Sequence, residues 1–252
     1  MKEILYEAIF RRKSIRKFDM LPLPQDTLAT LMEFAIHAVP LCDGIAYEFA
    51  FLGTKEVNGL LAIKAPHYLC IYSEKKDGFL MNAGYVLQQA DLFLSSKNIG
   101  SCWLGVAKPS KDIPAKRNGL DFVIMLAFGN ATEPVHRENT AAFRRKNLSE
   151  ITDIQGMDHI LEPVRLAPSA SNTQAWFLGG NQKEIIVSRA KLNLIKTAVY
   201  GKMNQIDIGI ALCHLCLSLA RQGKTMSLSF VDIGAPDGFE FMAKVDVADK
   251  EA

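Results

Sequence analysis

Apolar positions along this chain change period several times, and each change marks an element boundary. Ile4, Leu5, Ala8 and Ile9 recur at helical spacing and predict a short opening helix. Leu28, Leu31, Met32, Ala35 and Ile36 predict a second helix between the breaks at Pro22, Pro24 and Pro40. Residues 47–52 and 67–72 are rich in aromatic and β-favouring side chains and read as strands. Residues 78–98 form a long, mostly apolar helical pattern stopped at Gly100. Cys102-Trp103-Leu104-Gly105 leads away from it, and residues 121–128 read as a buried strand closed by Gly129 and Pro134. The same succession then returns. Residues 155–167 predict a helix broken at Pro168, and 176–178 and 184–188 are strand-like. Residues 203–222 predict a long apolar helix stopped at Gly223, followed by strands at 226–231 and 240–247.

Leu92-Phe93-Leu94-Ser95 through Gly100 can be laid over Leu215-Cys216-Leu217-Ser218 through Gly223 with a shift of 123 residues (215 minus 92), close to half the chain. That suggests a weak internal duplication. Helix–glycine–strand successions are common, so two similar apolar helices alone prove little. If the duplication holds, two copies of one α+β unit pack face to face, with a cleft of the kind in which cofactors usually sit.

Composition narrows the class. With 49% apolar and 22% charged residues in 252, the chain can bury a substantial core as one large domain or two small ones. Its 29 basic and 27 acidic residues leave a net charge of +2, which gives no reason to expect nucleic acid or an anionic membrane as a partner. The first 20 residues carry scattered charges and lack the apolar core of a secretory signal. The most apolar stretch, 206–220, contains Asp207, His214 and Ser218 and falls short of the roughly 20 residues a membrane span needs, so a buried helix is expected. Five cysteines, an odd number without a signal, point to reduced thiols in the cytoplasm.

Four segments could carry chemistry. Arg12-Lys13-Ser14-Ile15-Arg16 sets two guanidiniums and a hydroxyl at alternating positions, able to converge on one anion. Taken alone it reads more readily as a solvated basic loop. The run from Pro168 to Trp176, through Ser169, Ser171, Asn172, Thr173 and Gln174, offers hydroxyls and amides for a polyol chain or a polar ring edge, or simply a cap and turn. Arg144-Arg145-Lys146 adds positive charge. Trp103-Leu104-Gly105-Val106 places a glycine where backbone could approach a flat ligand.

Other motifs fail on inspection. There is no G-x-G-x-x-G, and Gly223-Lys224-Thr225 lacks the P-loop glycine because position 218 is Ser218. Cys213-His214-Leu215-Cys216 has no second ligand pair, so buried thiols are expected and no metal site. His37, His67, His136 and His159 form no constellation.

In order and spacing, the four segments resemble the FMN-dependent nitroreductases over nearly the whole chain. The family's R-x-S-x-R-x-F is matched by Arg12, Ser14, Arg16 and Phe18, and its P-S-x-x-N-x-Q-P-W run by Pro168, Ser169, Asn172, Gln174 and Trp176, with Ala175 in place of the proline. Trp103 and Gly105 match its W-x-G-like turn, and Arg145, Lys146, Glu150 and Ile151 match its basic pair and acidic-aliphatic tail. The family carries the P-S-x-x-N run early. Here the early equivalent, Pro40-Leu41-Cys42-Asp43-Gly44, has lost the serine and the asparagine, and the intact run lies in the second half.

The resemblance therefore implies an α+β nitroreductase-like fold of the tandem branch. A single domain over 1–252, with halves 1–150 and 151–252, would form an intramolecular pseudo-dimer with one complete FMN site. Arg12 and Ser14, helped by Arg145 and Lys146, would hold the phosphate and ribityl chain. Arg16 would lie near the pyrimidine edge, where a cation favours the anionic reduced flavin. Ser169 and Asn172 would bond the flavin from across the seam, and the backbone of Gly105 or Val106 would approach its N5. No side chain is required as acid or base. The implied activity is ping-pong reduction of nitroaromatics, quinones or similar small acceptors, with NADH or NADPH as transient donor, and a monomer could already hold a full site. Alternatives are a non-catalytic flavin-binding protein, a degenerate pseudo-enzyme without flavin, and another flavin chemistry on the same scaffold.

Overall fold

A short helix, two strands, a long helix and two further strands occur twice along the chain. The structure is a computed structural model in which residues 1–59 and 63–250 are described. Two units emerge: Arg11–Ala142, and Met1–Phe10 together with Phe143–Ala252. This division differs from halves of 1–150 and 151–252. Residues 143–150 and the opening helix both belong with the later part of the chain.

In the unit Arg11–Ala142, helix α2 (Gln25–Ile36) precedes strands β1 (Tyr47–Gly53), β2 (Val57–Asn58) and β3 (His67–Ser73). Helix α3 (Phe79–Ser96) follows, then β4 (Gly100–Leu104), β5 (Lys108–Pro109), β6 (Lys116–Arg117) and β7 (Leu120–Gly129). An antiparallel sheet runs β1-β3-β7-β4, with β6 beside β7 and the small pair β2-β5 apart. Residues 68–73 of β3 and 123–129 of β7 are buried without alternation. Strands covered on both faces read as continuous apolar runs, which is why periodicity located them. Pro24, with φ −53°, presets the entry of α2, so the helix starts before its first periodic leucine.

Every residue from Leu80 to Ser95 of α3 is buried, including Asn82, Gln88 and Asp91. The expected stop at Gly100 is corrected in detail. The left-handed exit is Asn98, with φ 60°, and the Ile99 amide donates to the Leu94 carbonyl at 3.0 Å. Gly100 serves another end: a Cβ there would stand 3.0 Å from Ile15.

The other unit begins with α1 (Lys2–Ile9) and resumes with α4 (Asp158–Arg165), β8 (Trp176–Gly180) and β9 (Glu184–Ala190). Helix α5 (Leu194–Arg221) and strands β10 (Lys224–Ser229) and β11 (Phe239–Asp249) complete it. Helix α1 buries Leu5, Ala8 and Ile9 and packs on α5, with Glu3 and Arg221 3.9 Å apart. Helix α4 is shorter than the expected 155–167, because Gly156 turns with φ 74° just before it. Gly223, at φ 68°, does end α5 in the left-handed region.

The antiparallel sheet of this unit runs β8-β9-β11-β10. Matched element for element, that is the order β1-β3-β7-β4 of the first unit. The stretch Tyr200–Arg221 is long and apolar enough to cross a membrane, but 78% of its apolar window is buried inside the protein, as in a core helix.

Candidate functional site

The R-x-S-x-R segment leaves Arg11 as an extended chain clamped on both sides. Along one edge it runs antiparallel to residues 130–137, with bridges Arg12–His136 and Phe18–Ala131. The Asp19 amide donates to Asn130 at 3.1 Å, Thr132 to Lys17 at 3.2 Å, and Arg137 to Arg11 at 2.9 Å. Along the other edge it pairs with β4: Ser14 bridges Ser101, and the Ile15 amide donates to the Ser101 carbonyl at 2.8 Å. Gly100 permits that approach, since Ile15 fills the space a side chain would take. Ile15 itself is fully buried in the cluster that holds Phe18, Tyr68 and Met125.

Extended backbone sends alternate side chains to opposite sides. Lys13 turns to Glu133, 3.4 Å away, and to the Pro134 carbonyl at 3.2 Å. Arg12 turns inward and is 1% exposed. Its Nε lies 2.8 Å from Oδ2 of Asp91, a fully buried carboxylate of α3. The N–H is not aimed along that line, so the contact is an ion pair and not a hydrogen bond. Arg12 Nη2 donates to Ser14 Oγ at 3.2 Å, and Ser101 Oγ donates to Asp91 Oδ1 at 2.5 Å. Arg12 Nη1 is buried with no hydrogen-bond partner among the described residues.

Arg16 is exposed. Burial pushes the Cys102 thiol upward, while the Arg16 and Arg12 charges and Ser14 pull it back. The structure joins Arg12 and Ser14 through a hydrogen bond and leaves Arg16 exposed two residues further along the same segment. It also supplies Asp91, Ser101 and Arg137, which sequence reasoning did not name. Trp103 donates from Nε1 to Gln88 Oε1 at 3.2 Å at the end of β4, and Gly105 and Val106 lie exposed just beyond.

In the other unit, the P-S-x-x-N run forms a tight loop between α4 and β8. Ser169 Oγ accepts the Gln174 amide at 2.9 Å. Ser171, Asn172 and Gln174 all have positive φ (51°, 57° and 45°), which side-chain-bearing residues adopt only when their surroundings fix them. The fixing groups are identifiable. Asn172 Oδ1 accepts from Arg145 Nη1, and its Nδ2 donates to the Arg144 carbonyl at 2.7 Å. Arg145 Nη2 also donates to the Leu166 carbonyl at 3.3 Å. Lys146 donates from its amide to Gln174 Oε1 at 2.7 Å and from Nζ to the Gln174 carbonyl at 3.0 Å. Arg145 and Lys146, expected at the phosphate, are thus engaged with this loop.

Beneath the loop, the Ala170 amide donates to both carboxylate oxygens of Asp207 at 3.1 Å. Asp207 is 4% exposed in α5; burial raises its pKa to about 8, against the lowering effect of the Ala170 amide. The other unit has a counterpart. The Leu41 and Cys42 amides, in the segment that lost its serine and asparagine, both donate to Asn82 Oδ1 of α3, at 2.8 and 3.1 Å. In both units a polar side chain of the long helix pins the segment that follows the short one. Of the Cys213-His214-Leu215-Cys216 segment, the first three residues lie in the core and Cys216 is half-buried, and His214 Nδ1 donates to the Pro163 carbonyl at 2.8 Å.

These paired α+β units carry the nitroreductase fold. A crystal structure of a putative nitroreductase from Thermotoga maritima matches with a TM-score of 0.62 at 19% identity, covering 96% of this chain and 93% of that one. A family model described as "Putative TM nitroreductase" matches residues 4–219, and the chain belongs to that family. A putative nitroreductase from Desulfovibrio desulfuricans, crystallised in complex with FMN, shares 16% identity over 58% of this chain and 93% of its own, with a TM-score of 0.43. A Bacteroides fragilis nitroreductase with bound FMN shares 17% over 52% and 88%, with a TM-score of 0.41. No curated protein matches.

Proposed function

We propose that this chain is an FMN-dependent oxidoreductase of the cytoplasm that draws electrons from NADH or NADPH and passes them to nitroaromatics, quinones or similar small acceptors. The observation that carries the reading is the buried guanidinium of Arg12, locked by Asp91 on one side, joined to Ser14 on another and left with an unpartnered Nη1. A buried donor without an acceptor is costly, of the order of 1–3 kcal/mol, and an anion beside it removes that cost. The donor chemistry fits a flavin phosphate and ribityl chain.

FMN, when bound, supplies hydride transfer between nicotinamide and acceptor. The protein's own contribution is binding and electrostatics. Arg12 and Ser14 hold the phosphate side. Arg16, exposed at the same segment, presents a cation to the electron-rich edge of the ring. In the other unit, Arg145 and Lys146 hold the loop of Ser169 and Asn172 in its strained conformation. Equivalent strand orders and equivalent pinning by Asn82 and Asp207 support reading the two units as an internal pair from one duplicated ancestor.

The test is an absorbance spectrum of the purified protein before and after FMN is added, with bound flavin quantified per chain. One FMN per chain, followed by steady oxidation of NADH or NADPH with an added quinone or nitroaromatic, is the expected result. Flavin binding without turnover would assign a carrier or sensor. No flavin after titration would overturn the reading.

A further inference from the structure

Pro22-Leu23-Pro24, just before α2, has a single backbone donor, because neither proline carries an amide hydrogen. That donor is the Leu23 amide, and it goes to Nε2 of His67, the first residue of β3, at 2.9 Å. The strap formed by residues 19–24 is strained. Met20 stands at φ 63°, a conformation that a side-chain-bearing residue keeps only when its surroundings fix it. Asp19 fixes one end: its amide donates to the Asn130 carbonyl at 3.1 Å, and its Oδ1 accepts the Leu21 amide at 2.9 Å. His67 fixes the other. Leu23 is buried, whereas Met20 and Leu21 are exposed. Behind the strap, Leu23 and Pro24 form one wall of a pocket of about 560 Å³ that also meets Leu31 of α2 and Leu94 of α3.

We propose that His67 is a proton-operated latch: neutral, it holds the strap 19–24 closed on β3, and protonated, it releases the strap and with it the Leu23 wall of the pocket. The latch is independent of the flavin reading above.

The geometry fixes the protonation state. A backbone N–H can only donate, so Nε2 of His67 must present its lone pair, and the ring proton sits on Nδ1. A second proton goes to Nε2 and sets two donors face to face. The ring is stacked on Phe128 of β7, with centroids 5.3 Å apart and planes at 28°, which keeps Nε2 aimed at the strap. Once the bond is lost, the strain at Met20 favours release. The charged groups on the surrounding elements are Asp19 in the strap, Asp26 in α2, Lys64 before β3, and Glu56, whose carboxylate accepts the amide of Gly53, the β1 partner of His67. Among the described residues none of them forms an ion pair with the ring. Burial lowers the His67 pKa below its ordinary value of 6.5. The bond's contribution is therefore complete above that value and is lost as pH falls through the lower folded one.

The experiment follows amide hydrogen exchange of residues 19–24 in the whole protein at about pH 7.5 and about pH 5, corrected for the intrinsic pH dependence of exchange, with residues 123–128 of β7 as reference. Relative to that reference, exchange in the wild-type strap should rise about tenfold in acid. His67→Gln keeps an acceptor that does not titrate and should abolish the rise. His67→Phe keeps a ring against Phe128 but no acceptor, and its strap should exchange fast at both values. No rise in the wild type, or a rise of the same size in His67→Gln, would overturn the latch. If neither variant folds, nuclear magnetic resonance of the wild type decides. The His67 ring and the Leu23 amide should then titrate with one shared midpoint below the ordinary histidine value, and separate midpoints would overturn the proposal.

Discussion

Arg12 and Asp91 form an ion pair, 2.8 Å from Nε to Oδ2, in which neither side chain has appreciable contact with water. The carboxylate is the single charged side chain of α3, and the guanidinium stands in a segment that meets β4. Such a pair adds little net stability over an apolar replacement, but removing one member leaves a buried charge uncompensated. Its retention makes sense if it holds the arginine for another purpose.

Asp91→Ala should therefore destabilise the protein by about 3–5 kcal/mol, measured by urea unfolding. The double variant Arg12→Met with Asp91→Leu should recover most of that loss while losing FMN binding. If the double variant is as unstable as Asp91→Ala, the pair is not the source of the cost.

Arg12→Lys separates holding from binding. A lysine keeps a charge near Asp91 but cannot serve the carboxylate, Ser14 and a phosphate through one planar fork. FMN affinity should fall about ten- to a hundredfold, in line with roughly 1.5–3 kcal/mol for a hydrogen bond to a charged group, with a smaller loss of stability than in Arg12→Ala. Flavin fluorescence titration alongside thermal unfolding checks both. Unchanged affinity would mean that the phosphate does not meet Arg12.

Asp207 gives a pH dependence with a definite sign. Its carboxyl keeps its proton up to about pH 8 in the folded state, against the ordinary carboxylate range near 4 in the unfolded chain. Between those values the folded state binds the extra proton, so this group's contribution to stability declines as pH rises, by at most about 1.4 kcal/mol per unit. Below the ordinary range and above about 8 it is level. Asp207→Asn, which keeps an acceptor for the Ala170 amide, should flatten unfolding free energies measured from pH 5 to pH 9 relative to the wild type. An identical slope in the variant would show that Asp207 is ionised in the fold.

Gly100→Ala tests close approach. A Cβ at this position meets Ile15 at 3.0 Å, and Ile15 is fully buried. Overpacking of this kind costs about 1–3 kcal/mol. Because Ile15 lies between Ser14 and Arg16, FMN affinity should fall as well. A neutral effect on both would mean that the junction of this segment with β4 yields easily.

Much of this architecture was legible from pattern. Apolar runs located β3 and β7 because both are covered on two faces, and Gly223 marked the end of α5 because a left-handed residue was needed there. Arg12 and Ser14 were legible as neighbours because they alternate along one extended segment, and Nη2 of the first bonds Oγ of the second. What escaped was chemistry set by partners distant in sequence. Asp91 is a single carboxylate in an apolar helix, and nothing local says that it faces an arginine 79 positions earlier (91 minus 12). That isolation, like that of Asp207 in α5, was nevertheless a signal, since an unpaired carboxylate is rarely buried. Arg137 lies in a stretch without periodicity, and only its antiparallel pairing with residues 11–19 gives it a place. The roles expected of Arg145 and Lys146 came from the resemblance of the basic pair, and the hydrogen bonds of both to Asn172 and Gln174 depend on a loop more than 20 residues away.

Asn172 concentrates that last point. It sits at φ 57° between two other positive-φ residues, and its amide spans the chain from Arg145 Nη1 to the Arg144 carbonyl. Asparagine tolerates this conformation better than most residues, and alanine would lose both the tolerance and the two bonds. Asn172→Ala should cost about 1–3 kcal/mol in urea unfolding. Asn172→Gly, which restores the backbone freedom but not the bonds, should recover part of that stability. If glycine restores all of it, the side chain matters only for backbone shape. If alanine costs nothing, the loop is held by Ser169, Lys146 and Asp207.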